Sequence, residues 1–120
     1  MAAIVDLSPA FVKITGFYKS DTFSRTITFV PPGSFDFTGA SGNCQLVNKS
    51  TNALVEDLTT GNGGITFPDT DTILLFASDT DTATWPVCAL VGDVQIELAD
   101  GTVRTLVKLE VIVEKPITAV

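Results

Sequence analysis

An antiparallel β-sandwich is the fold this sequence predicts, on three observations. Apolar and polar residues alternate with period 2 over long stretches, which puts successive side chains on opposite faces of a sheet. Asp100-Gly101 separates two such runs, and no segment carries a sustained 3.6-residue apolar period. Asp-Gly suits a two-residue hairpin loop, because a type I′ turn needs positive φ at both central positions. That loop sets Ala99 opposite Thr102, Glu97 opposite Arg104 and Asp93 opposite Lys108. Opposite charges then share one face, while Leu98/Val103, Ile96/Thr105 and Val94/Val107 share the other. A one-residue slip would break both patterns together.

The strands follow in order. Phe11 to Thr15 comes after Pro9 and ends at Gly16; Thr22 to Val30 sets Phe23, Arg25, Ile27 and Phe29 on one face and stops at Pro31-Pro32-Gly33. Phe35 to Gly39 turns the chain into a strand around Asn43 to Asn48. The Ser50-Thr51-Asn52 turn leads to Ala53 to Leu58. The loop Gly61 to Gly64 precedes Ile65 to Phe67, and Thr72 to Ala77 follows. Asp79 to Trp85 suits one helical turn before Pro86, then Leu90 to Ala99 and the final strand form the ribbon. Seven or eight strands at spacings of about 8–12 residues suggest an immunoglobulin-like sandwich. The Cys…Trp…Cys spacing of antibody domains is missing, since Trp85 lies just before Cys88.

The 120 residues make one domain, 1–120, long enough to bury a core without metal or disulfide. A net charge of −7 argues against binding a nucleic-acid backbone. No apolar run reaches the ~18 residues of a membrane span, and the first residues lack a secretory signal, so synthesis in a cytoplasm is expected. Histidine is absent, which removes the commonest general base and metal ligand. Cys44 and Cys88 read as buried small apolar residues or as a disulfide, and a reducing cytoplasm favours the first.

Enzyme motifs are missing: no G-x-S-x-G, no H-E-x-x-H, no phosphate loop. A carboxylate pair among fourteen acidic residues is the remaining formal route to catalysis, and the acids sit mostly in turns. Neither a catalytic residue nor a cofactor is expected. Asp69, Asp71, Asp79 and Asp81 could supply oxygen ligands to Ca²⁺ if their two loops met. The plainer reading is that Asp and Thr bond their own backbone in turns and caps. Asn48-Lys49-Ser50 matches a glycosylation acceptor that a cytoplasmic product would not use. Phe17, Tyr18, Leu106, Ile112 and the tail Ile117 to Val120 are surplus to a two-sheet core, and surplus apolar surface suggests a partner. Arg25, on an apolar face, suits a sheet rim or a salt bridge to a neighbouring subunit. Leu106→Asp or Ile112→Asp is therefore expected to weaken assembly without unfolding the chain. The first and final strands are candidates for extending a neighbour's sheet.

Asp21-Thr22-Phe23-Ser24-Arg25-Thr26-Ile27-Thr28-Phe29, then Asp36-Phe37-Thr38-Gly39, resembles the pattern "GDTFxRxxxF … xDLTG" of small Ig-like domains in tailed-bacteriophage structural proteins. Asp81-Thr82-Ala83, Trp85-Pro86, Gly92 to Leu98, Asp100 to Leu106, Val111-Ile112-Val113 and Pro116-Ile117-Thr118 continue the resemblance over about residues 12 to 118. Lys19-Ser20 stands where the pattern has Gly, Phe37 where it has Leu, and Lys108-Leu109 where a Gly is usual. The resemblance implies a non-enzymatic virion component that attaches a fibre or spike to the tail, baseplate or collar. Its expected partners are other virion proteins, in several symmetry-related copies. A capsid decoration protein on the head is the structural alternative. A host-receptor or carbohydrate-binding module, using Trp85 and Tyr18, is the alternative of another kind.

Overall fold

The computed structural model describes residues 10–29 and 36–117, which form eight strands and one helical turn. The strands are β1 (Ala10–Tyr18), β2 (Phe23–Thr28), β3 (Ser41–Asn48), β4 (Leu54–Thr59), β5 (Ile65–Asp69), β6 (Thr72–Ala77), β7 (Ala89–Glu97) and β8 (Val103–Glu114). The turn α1 (Asp79–Thr82) starts at Ser78, whose hydroxyl accepts from the Asp81 N–H, as an N-cap requires. One sheet has the order β1-β8-β7-β3-β4 and the other β2-β6-β5. The two sheets pack face to face, β3 against β5 and β4 against β6, with Phe17 of β1 on Phe23 of β2, as an immunoglobulin-like sandwich. One pairing departs from the antiparallel expectation: β1 runs parallel to β8. β8 is therefore flanked on both sides, which removes it as a strand that could extend a neighbour's sheet; β1 is an edge strand among the described residues.

The core lies between the sheets. Phe23, Leu46, Ile73, Leu75, Trp85, Leu90, Val94, Ile96, Val107 and Val111 are fully buried there. Trp85 packs between Phe17 and Phe23, with ring centroids 5.6 and 5.5 Å away, and its Nε1 donates to Glu56 Oε1 at 3.1 Å. A buried indole needs such a partner for its one polar atom. Gly42 sits where the sheets touch: a Cβ there would meet Ile96 Cδ1 at 2.9 Å and Ile65 Cγ2 at 3.0 Å.

Two bulges decide which residues face this core. The hairpin loop has three residues, Ala99-Asp100-Gly101, because the Leu98 N–H donates to the Thr102 carbonyl and the Gly101 N–H to the Leu98 carbonyl. Gly101 takes φ 88°, and the Thr102 N–H donates to Asp100 Oδ1. This is a turn followed by a left-handed residue, not the two-residue loop expected. The register is consequently slipped by one near the turn: Glu97 pairs with Val103, Ile96 with Arg104 and Gln95 with Thr105. The expected pairs Val94–Val107 and Asp93–Lys108 form beyond it, so Leu106 is the extra residue that absorbs the slip. Leu106 is buried beside Val107, whereas Val103, expected in the core, is 57% exposed.

β1 does the same at Gly16, whose φ is 71°. The strand does not end there. Its pairing with β8 shifts between Ile14 and Phe17, and parity resets so that Phe17 follows Ile14 into the core.

Candidate interaction surfaces

The fold scatters the residues expected at an interface. Phe17 and Leu106 are 5% exposed each and belong to the core. Leu106→Asp would bury a carboxylate, so it should unfold the chain and not merely weaken assembly. Ile112 lies on the outer face of β8 opposite Ala89 and is half-buried. Arg25 is exposed on β2, an edge strand, and its Nη1 donates to the Ser24 carbonyl at 3.2 Å. Tyr18 and Ile117 do come together. With Asp21 and Pro116 they line a depression of about 320 Å³ where β1 and β8 finish. Ile117 is fully exposed and Tyr18 43% exposed. Val120 lies outside the described residues.

The aspartates proposed for calcium do not converge. Asp69 and Asp71 flank the start of β6, while Asp79 and Asp81 follow its end. Six extended residues put these ends about 20 Å apart. Each pair serves its own turn: Asp69 Oδ1 accepts from the Thr70 N–H, Asp71 Oδ1 from the Thr72 hydroxyl and Asp79 Oδ1 from the Thr80 N–H. Cys44 and Cys88 are free thiols. Burial, helped by the Asp93 and Asp57 carboxylates, pushes Cys44 up to about 12, so it does not ionise near neutrality. Trp85, offered above as a sugar platform, is enclosed in the core.

The outer face of the five-stranded sheet was not singled out from the sequence. Strand register arranges it in rows. Thr59, Asn43, Gln95 and Thr105 are successive cross-strand neighbours. The next row runs Asp57, Gln45, Asp93, Lys108 and Phe11, in which the register of β3 and β7 sets Gln45 beside Asp93. A third runs Leu54, Val47, Val91, Glu110 and Lys13. Phe11 is 66% exposed and Leu54 57% exposed, at opposite edges of the sheet. A depression of about 500 Å³ lies over the middle of these rows. The signal for Phe11 was present, since Val12 and Ile14 point inward and leave Phe11 and Lys13 outward.

Glu110 is the buried charge of this face. Lys49 Nζ donates to its Oε2 at 2.9 Å, and Lys13 Nζ lies 3.7 Å from Oε1. The Lys49 hydrogen bond, ahead of the charges of Lys49 and Lys13, holds its carboxyl below the usual range although burial opposes this. Asp36 and Asp100 are lowered by hydrogen bonds from Thr38 and Thr102 in their turns. All three shifts have structural causes.

No protein-family model matches the chain, and no curated protein is similar to it. Among solved structures, it is similar to one described as "Parallel homodimer structures of the extracellular domains of the voltage-gated sodium channel beta4 subunit explain its role in cell-cell adhesion". Identity is 11%, the TM-score is 0.35, and the match covers 98% of this chain and 94% of that one. An overlap this loose carries no argument about function, and the fold assignment rests on the strand order itself.

Proposed function

We propose that this chain is a non-enzymatic assembly module of a tailed-phage virion, joining a fibre or spike to the tail, baseplate or collar by packing against neighbouring subunits. The observation that carries the assembly reading is the pairing of Tyr18 and Ile117. Two large apolar side chains stand exposed together beside one depression, where β1 and β8 finish. The virion assignment draws its support from the resemblance of residues 21–39 and 81–118 to phage Ig-like domains. The lack of histidine, and the turn and ion-pair contacts that lower the Asp36, Asp100 and Glu110 carboxyls, favour a role without catalysis. Synthesis in the host cytoplasm and incorporation into the particle belong to the same reading, with several copies arranged by the particle's symmetry.

The test is labelling of purified particles with an antibody against this chain, viewed by electron microscopy beside mass spectrometry of the same particles. Label at the tail tip, baseplate or collar is expected. Label over the head would make it a decoration protein instead. Absence of the chain from the particles by mass spectrometry would overturn the virion role.

A further inference from the structure

We propose that the outer face of the five-stranded sheet is a two-fold docking surface for a second copy of this chain. The face is polar but ordered, and its order is self-complementary. Asp57 lies on β4 and Lys108 on β8, on opposite sides of the line between β7 and β3, with Asp93 on β7 beside Lys108. A two-fold axis parallel to the strands, between β7 and β3, lays β8 over the second copy's β4 and β7 over its β3. Rows then meet their own kind. Lys108 faces the second copy's Asp57, and Asp93 faces its Gln45, whose amide can donate to the carboxylate. In the neighbouring rows Gln95 faces Asn43, Thr105 faces Thr59, and Val91 faces Val47. Each contact occurs twice, as an isologous interface requires.

Sheets pack face to face with their strands nearly aligned, so this axis is a common geometry and not a special one. Four strands about 4.8 Å apart and three rows about 7 Å apart give a flat footprint of roughly 400 Å². Side-chain relief raises the accessible area toward the roughly 600 Å² per partner of the smaller specific interfaces. Phe11, on β1 beyond the four paired strands, rims the contact, while Leu54 on β4 lies within it, over the second copy's β8 at Glu110. Charge pairing is what selects this partner: a chain of net charge −7 repels its own copies unless an opposite pair such as Lys108 and Asp57 is brought together across the contact. The proposal does not depend on a virion role.

Sedimentation velocity of the purified full chain tests it. Wild type should show a concentration-dependent dimer. Lys108→Glu and Asp57→Lys should each weaken dimerisation by about tenfold or more, since like charges then face each other twice. Mixing the two variants should restore a dimer, because every reversed charge then meets its opposite. Both residues are exposed, so unchanged melting curves would show that the variants are folded. A wild type that stays monomeric at all concentrations would overturn the proposal. So would folded variants that dimerise like wild type, or a mixture that stays monomeric.

Discussion

The two faces of the five-stranded sheet differ in what holds them. On β8 the inner face carries Val107, Leu109, Val111 and Val113, none more than 2% exposed. The outer face carries Lys108, Glu110, Ile112 and Glu114 and contains one buried carboxylate under two lysines. Packing specifies the inner face, where each side chain must fill space left by the other sheet. Hydrogen bonds and charge specify the outer face, where a residue can change without leaving a void. Stability should therefore respond to the first face and association to the second. The bulges at Gly16 and Leu106 mark where a residue passes from one face to the other.

Phe17→Ala should be the most destabilising change on the inner face. It empties a site between Phe23 and Trp85 and should cost about 3–5 kcal/mol in urea unfolding. Leu106→Ala should cost about 2–5 kcal/mol, while Val103→Ala, three residues away on the outer face, should stay within about 0.5 kcal/mol. Equal losses at these two positions would remove the bulge from the account. Gly101→Ala, forced into positive φ, should cost about 1 kcal/mol and leave the core untouched, as read by thermal melting.

On the outer face, Glu110 makes stability depend on acid pH. Its carboxyl is lower in the folded chain than in the unfolded one, so between the two values the unfolded chain binds more protons. The stabilisation is present above the ordinary Glu range, near about pH 4.3, and is lost as pH falls through the lowered folded value. Glu110→Gln should flatten that part of the stability–pH curve, and an unchanged acid limb would contradict the two-lysine clamp. Phe11→Ser should be the mildest, changing urea stability by less than about 0.5 kcal/mol while reducing self-association in the ultracentrifuge.

Much of this architecture was legible in the sequence. Alternation located the strands, and the distal half of the ribbon formed the expected Asp93–Lys108 and Val94–Val107 pairs. What was missed follows from parity. Period-2 reading assigns faces only while the count is unbroken, and one extra residue inverts every later assignment. Gly16 inside a strand pattern was a visible hint of a bulge. At β8 the hint was weaker: Leu106 and Val107 are adjacent apolar residues, but so are Val111, Ile112 and Val113, where no bulge falls. The outer-face rows needed register between β3, β4 and β7, which no local pattern provides. Trp85 reached the core through the connection after β6, beyond the reach of strand periodicity.

Thiol labelling tests the division of faces most directly. In a chain with Cys44 and Cys88 replaced by Ala, cysteine would be introduced singly at Val103 and at Leu106. The account predicts that Val103→Cys reacts nearly as fast as in the unfolded chain, while Leu106→Cys is protected until the chain unfolds. Fast labelling at 106 with protection at 103 would mean an unbulged ribbon, and would return Leu106 to the surface.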